Sequence, residues 1–206
     1  MDLSQIIIKR LEKVSKGMTQ DSLRGFQVIQ AYQDQDIRLP QRQTPHSAGY
    51  DLEAAETVIL PSFWKRTIRH YLHVLKGTLT GESDNEGDLG ALWQATLVPT
   101  GVKAYMQENE YLKIVNRSSG SYKHQTTLPN GIGIIDADYY DNPNNEGHIY
   151  VQLINYGLKD RTIHKGERIA QGIFTQYLLV DGDQARVTPR RGGFGSSDRD
   201  PLERSL

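Results

Sequence analysis

The sequence predicts an all-β chain, folded as a small barrel or jelly roll, with a short helix at its N-terminus and a helical insertion near residue 62. Three observations predict this. From residue 26 onward, short runs rich in β-branched and aromatic residues recur at close spacing, with Gly, Pro and Asn between them. Residues 2–16 instead repeat their apolar positions at helical intervals. Residues 62–77 do so again, in a strongly basic segment. At 206 residues the chain is long enough for one domain with a real core.

In the first helix Leu3, Ile6, Ile7, Leu11 and Val14 form the apolar stripe, and Gly17 is a suitable stop. It can pack on its own domain or bind a partner. Met18 offers an alternative start, which would make the helix dispensable. Strands are expected over 26–31, 58–60, 95–98, 101–106, 111–116, 133–135, 148–154, 161–163, 168–174 and 177–180. In the basic helix Ser62 is placed to cap, and Phe63, Trp64, Ile68, Tyr71, Leu72 and Leu75 supply apolar surface. Residues 81–88 follow as an acidic, turn-rich loop. After Thr188 the composition turns to Gly, Arg and Ser, with Phe194 the lone aromatic. Such a tail buries too little apolar area to order itself. No internal repeat is visible. The expected division is an N-terminal extension over 1–24, a β domain over 25–187 interrupted at about 62–94, and a C-terminal arm over 188–206.

Charge and composition narrow the function. A net charge of −1, from 24 basic and 25 acidic residues, gives no overall field that would draw the chain onto nucleic acid or a membrane. Neither partner is expected. Zero cysteines exclude a disulfide framework and thiolate metal sites. No apolar run approaches the roughly 18 residues a membrane span needs, and the N-terminus lacks a signal-peptide pattern, so a cytoplasmic location is expected.

Several short motifs carry chemistry. Asp136 and Asp138 lie two apart, a spacing that on extended chain points both carboxylates the same way. A general base, a divalent-ion site and a solvated turn all fit that pattern. Asn130-Gly131-Ile132-Gly133 can form a hairpin whose main chain approaches a flat ring closely, because glycine removes the side chain; an ordinary Asn-Gly turn fits as well. Asn116-Arg117-Ser118-Ser119 reads as a polar turn, yet an arginine fork with serine hydroxyls also suits phosphate oxygens. Asp51 can cap a local amide or face a metal. For Arg168, directly after Glu167, a structural ion pair is expected rather than a ligand contact. Phe194, on a glycine-rich arm without core partners, suits stacking on a base.

In order along the chain, five motifs resemble those of the trimeric dUTPases. They are Ala48-Gly49-Tyr50-Asp51-Leu52, Arg117-Ser118-Ser119, Gly133-Ile134-Ile135-Asp136-Ala137-Asp138-Tyr139, Gly166-Glu167-Arg168-Ile169-Ala170-Gln171 and Arg190-Arg191-Gly192-Gly193-Phe194-Gly195-Ser196-Ser197. The resemblance spans roughly residues 26–197 apart from the insertion. It implies a dUTPase-like jelly roll, a homotrimer with sites shared between subunits, and Mg²⁺-assisted hydrolysis of dUTP to dUMP and pyrophosphate. That reaction keeps uracil out of DNA and supplies dUMP for dTMP synthesis. By the same resemblance Asp136 is the catalytic base for the water that attacks the α-phosphate, and it touches the deoxyribose 3′-hydroxyl. Tyr139 would exclude a ribose, while Asn130, Gly133 and Ile135 would lie at the uracil. Arg117, Ser118, Ser119 and Gln171 would take phosphate oxygens. Asp51 would contact waters on Mg²⁺, an ion held mainly by phosphates and water. Arg190 or Arg191 would reach the γ-phosphate, with Phe194, Gly195 and Ser196 closing over the nucleotide.

The chain departs from the family pattern twice. Pro189 stands where the arm's usual arginine lies, five residues before the phenylalanine. After Tyr139 the family passes straight to Arg-Gly or Gln-Gly, whereas residues 140–147 of this chain form a longer Asn/Pro-rich turn.

Two rival readings share the motifs. A dCTP deaminase has the same fold and an Arg-Ser-Ser element, but it needs a carboxylate where this chain has Gln152, and an amide cannot serve as that acid/base. Deamination is not expected. Some phage and bacterial relatives of dUTPase act as regulators by binding repressors or other proteins. The insertion at 62–94 offers Lys65, Arg66, Arg69, His70 and Lys76 as positive charge and Trp64 and Tyr71 as anchors for such a partner. The alternative is a decoration on the outside of the trimer.

Overall fold

The computed structural model describes residues 22–80 and 94–184; the helix expected over 2–16, the acidic loop 81–88 and the arm 188–206 lie outside the described residues. Eleven strands and two helices appear among those described: β1 (Gly25–Val28), β2 (Tyr50–Glu53), β3 (Val58–Leu60), α1 (Phe63–Thr80), β4 (Thr96–Pro99), β5 (Val102–Tyr105), β6 (Glu110–Asn116), α2 (Ser118–His124), β7 (Thr126–Thr127), β8 (Gly133–Asp136), β9 (Tyr150–Asn155), β10 (Arg161–Ile163) and β11 (Arg168–Gln176). The paired strands are antiparallel and fall into sheets of order β1-β5, β10-β3, β2-β11-β6-β8 and β4-β9-β7. These sheets surround one core as in a jelly roll, and no continuous barrel closes among the described residues.

Period-two alternation builds that core. In β9 Val151 and Leu153 are buried while Tyr150, Gln152 and Ile154 are only half-buried; in β6 Leu112 and Ile114 point inward. They meet Leu52, Leu60, Val98 and Ile163. No helix of the described residues is long and apolar enough to cross a membrane.

Helix α1 begins where the sequence predicts. Ser62 caps it by accepting from the Lys65 amide at 3.1 Å, while its own hydroxyl donates to the Gly157 carbonyl at 2.6 Å. Lys65 Nζ reaches Asp160 at 2.5 Å, fixing the first turn to the β9–β10 connection. The face carrying Trp64, Ile68, Tyr71, Leu72 and Leu75 stays exposed.

Several expectations need correction. Residues 177–180 are not a strand. The β6 partner starts at Glu110, opposite Gln176, so the ladder runs out there and Tyr177 donates one last bond to the Asn109 carbonyl. Residues 50–53, absent from the expected strands, form β2 and pair with β11. The polar turn expected at 116–119 leads into helix α2, which ends where Gln125 takes a left-handed conformation at φ 54°. The first strand stops at Val28, and a 3-10 turn spans Gln30–Tyr32.

Candidate active site

A cavity of about 180 Å³ opens between β8 and β9, lined by Asn130, Gly133, Ile135, Tyr139, Tyr150 and Gln152, with Ile114, Leu128, Ile134 and Val151. Four of the residues singled out in the sequence thus meet at one place. Local chemistry explains how. Leu128 accepts from the Gly131 amide at 3.1 Å, closing a β-turn with Pro129 and Asn130 at its centre. Gly131 follows at φ 69°, a conformation glycine adopts without strain. This is not the expected hairpin: the flanking strands β7 and β8 pair with β9 and β6, not with each other. The turn therefore bridges two sheets, and the cavity lies in the gap it spans.

Strand β8 ends at Asp136, and a 3-10 turn over Ala137–Tyr139 follows. The strand geometry that would align Asp136 and Asp138 is lost: Asp136 is half-buried, and Asp138 is exposed. The same turn folds Tyr139 back into the cavity wall, where it is 4% exposed. Asp136 directly follows the lining residue Ile135 but does not itself line the cavity.

Behind Tyr139, residues 140–147 are a built element. The Tyr139 hydroxyl donates to the His148 carbonyl at 3.2 Å and accepts from Asn145 Nδ2 at 2.7 Å. Asn142 is buried and donates to both the Tyr139 carbonyl (2.9 Å) and Asn145 Oδ1 (2.7 Å). From β5, the buried Lys103 ammonium binds Asp141 and Glu146, the latter at 2.7 Å. Burial alone would raise the Glu146 carboxyl; the bonds from Lys103 and the Gln30 amide outweigh it and hold the group below the usual range. His148 accepts from the Gly101 amide through Nε2 at 3.0 Å, which puts its proton on Nδ1. Burial depresses this imidazole to a pKa of about 4.

The second group of predicted residues gathers around Asp51, which is 3% exposed. Its Oδ1 accepts from Arg117 Nε at 3.0 Å and Gln171 Nε2 at 3.1 Å; its Oδ2 accepts from Arg168 Nη1 at 3.2 Å. Arg117 also reaches Ser119 Oγ at 3.4 Å. Two guanidinium groups against one carboxylate leave the cluster positive, as an anion site requires. An open cleft of about 460 Å³ adjoins Asp51 and Arg168.

Arg168 belongs to this cluster: the expected structural ion pair forms with Asp51, while the neighbouring Glu167 binds Arg161. A β-bulge is responsible. Between Arg168 and Ala170 the register of β11 against β2 slips by one, so Arg168 lies opposite Glu53 and Gln171 opposite Asp51. Regular alternation would put Arg168 and Gln171 on opposite faces. The extra residue brings both to the face of Asp51. Of the remaining predicted residues, Ser118 is the first residue of α2, directly after Arg117 at the helix N-cap. Arg190, Arg191, Phe194, Gly195 and Ser196 lie outside the described residues.

Known proteins resemble this chain in sequence and fold. The family model for dUTPase matches residues 89–198. A deoxyuridine 5′-triphosphate nucleotidohydrolase from Lactococcus lactis is 42% identical over 176 residues, covering 85% of this chain and 97% of its own. The crystal structure of dUTPase from Streptococcus mutans superposes with a TM-score of 0.59 at 39% identity, over 77% of this chain and 99% of that one. The dUTPase of the Staphylococcus aureus phage phi11, at 16% identity and a TM-score of 0.54 over 81% of this chain and 98% of its own, shares the fold. A jelly roll with both clusters in place, matched over most of its length by these relatives, makes this chain a member of the dUTPase family.

Proposed function

We propose that this chain hydrolyses dUTP to dUMP and pyrophosphate. The observation that carries the reading is the cavity where Asn130, Gly133, Ile135 and Tyr139 meet, one residue before Asp136. In this reading the main chain at the start of β8 meets the uracil edge and the Tyr139 ring packs on the sugar. Asp136 takes a proton from a water, whose oxygen bonds to the α-phosphorus as the bond to the bridging oxygen breaks and pyrophosphate leaves. Arg117, Arg168 and Gln171 hold the charged phosphates, so placement and charge stabilisation lower the barrier. Gln152 lines the cavity as an amide, which is the wrong group for deamination.

Magnesium suits this site only in an outer role. Both oxygens of Asp51 are engaged by Arg117, Gln171 and Arg168, and among the described residues no three His, Asp or Glu side chains gather as a metal cage. An ion held by phosphate oxygens and water, reached by Asp51 through water, fits these donors; it would neutralise charge on the triphosphate.

The catalytic unit in this reading spans 25–187 of a cytoplasmic homotrimer. Two features support assembly: the cleft at Asp51 and Arg168 and the cavity at Tyr139 share no lining residue, and Leu178, Leu179 and Val180 are left exposed. The arm over 188–206 then closes on the nucleotide through Phe194, Gly195 and Ser196, with Arg190 or Arg191 at the γ-phosphate. The outward apolar face of α1 favours a second role for the insertion at 62–94 in binding a protein partner, tested by a pulldown with and without the insertion.

Pyrophosphate release measured in parallel on dUTP, dTTP, dCTP and UTP tests the principal reading. Turnover of dUTP alone is expected. Equal turnover of dCTP or UTP would overturn it.

A further inference from the structure

The segment 140–147 plays no part in the chemistry described above, yet it holds the cavity wall at Tyr139, through the hydroxyl and the main-chain carbonyl. From the hydrogen bond between Asn145 and Tyr139 we infer that Asn145 is a positioning residue for sugar selection: it locks the Tyr139 ring in the plane that keeps a 2′-hydroxyl out. The inference rests on the reading of Tyr139 as the ring that faces the sugar.

The geometry behind it is complete. Tyr139 is buried, and its hydroxyl bonds two groups outside the cavity lining, Asn145 Nδ2 at 2.7 Å and the His148 carbonyl at 3.2 Å. Its one proton is committed to that carbonyl, so the phenol presents the cavity with a ring face and selects by volume, not by hydrogen bonding to a sugar hydroxyl. Selection by volume works only if the ring cannot tilt. A single hydrogen bond leaves a ring free to swing about it; two bonds, one donated and one accepted, restrict that freedom.

Asn145 is itself held from three directions. Its Oδ1 accepts from Asn142 Nδ2 at 2.7 Å and the Gly147 amide at 3.2 Å, and its carbonyl accepts from the His148 amide at 3.0 Å. Asn142, 5% exposed, also binds the Tyr139 carbonyl. The Asn145 amide is thus oriented with its nitrogen toward the phenol: its oxygen serves the loop and its nitrogen serves the ring. Lys103, with its side chain 8% exposed beneath Asp141 and Glu146, ties the loop to β5 and keeps this framework from moving as a whole.

The test compares kcat/KM for dUTP with kcat/KM for UTP in Asn145→Ala, Tyr139→Phe, the double variant and Tyr139→Ala, with thermal melts alongside. Asn145→Ala is expected to lower the dUTP-to-UTP ratio about five- to tenfold, the worth of one buried hydrogen bond, mainly through KM. Tyr139→Phe removes that bond together with the one to the His148 carbonyl and keeps the Asn145 bonds to Asn142 and Gly147, so it is expected to lower the ratio at least as far. The double variant should fall no further, because Asn145 then has no hydroxyl through which to act. Should Asn145→Ala fail to fold, Asn145→Asp decides, since its carboxylate still accepts from Asn142 and the Gly147 amide but has no N–H to give the phenol. An unchanged ratio in Asn145→Ala and Tyr139→Phe, with the ratio collapsing in Tyr139→Ala, would overturn the role of Asn145 and leave the sugar-facing ring standing. An unchanged ratio in Tyr139→Ala would remove the ring from sugar selection and this inference with it.

Discussion

Arg117 Nε lies 3.0 Å from Asp51 Oδ1, and the carboxylate of that pair is almost fully buried while the guanidinium is partly open to solvent. Arg168 approaches the other oxygen, so one anion orients two cations. Asp51→Asn keeps the shape and removes the charge. Because both arginines retain solvent, the cost falls short of that of a fully buried pair, and a loss of about 1–3 kcal/mol is expected in urea denaturation. Pyrophosphate release should fall as well, since the guanidinium groups lose their common anchor. Unaltered stability would show that the arginines hold their places without it.

Asp136→Ala removes the group assigned to water activation and leaves the cavity lining intact. Turnover of dUTP should drop by about 10²–10⁴, the usual worth of a general base, with KM changed by a small factor. Steady-state kinetics measure both. Turnover at the original rate would move the base elsewhere.

His148 predicts a pH dependence. Burial lowers its pKa from 6.5 to about 4, so the folded chain binds fewer protons at this site than the unfolded chain between those values. Its contribution to stability is full above about pH 6.5 and is lost as pH falls toward 4. The expected loss over that window is about 3 kcal/mol. Melting of His148→Gln across the window isolates the effect: the variant should show a flatter profile. An identical slope in both proteins would assign the acid sensitivity to another group.

Gly147 has φ 81°, and a Cβ there would stand 2.7 Å from the Tyr139 carbonyl oxygen. Gly147→Ala meets both a backbone penalty and a collision with main chain, so a loss of roughly 1–3 kcal/mol is expected in chemical denaturation. A neutral result would show that the 140–147 segment yields easily, at odds with its buried Asn142 and Lys103.

Much of the β framework was legible because alternation is local: Leu112 and Ile114, or Val151 and Leu153, announce a buried face without knowledge of the partner strand. The lining residues Asn130, Gly133, Ile135 and Tyr139 were legible as a group, since they fall within ten residues, but the β-turn and the 3-10 turn that gather them were not. Arg168 was not. Its face depends on a bulge, and a register slip against β2 leaves no mark on alternation within β11. Helix α2 was equally hidden, because Ser118, Ser119, Gly120 and Ser121 are weak helix formers. Tertiary bonds compensate: Ser121 donates to the Thr126 carbonyl at 3.2 Å, and Tyr156 donates to the Ser121 carbonyl at 2.7 Å. The tie from Asn145 to Tyr139 joins two side chains six positions apart across a left-handed corner at Asp141, and no periodicity encodes that.

Residues 177–180 carry a strand's composition beyond the end of their ladder, with Leu178 96% exposed. Backbone in that condition is the easiest for a protease to grip, since cleavage needs an extended stretch free of neighbours. A solitary chain should therefore be clipped there, and chains that lend one another an edge should be spared. Digestion rates that slow as protein concentration rises would convert this exposed stretch into a gauge of assembly.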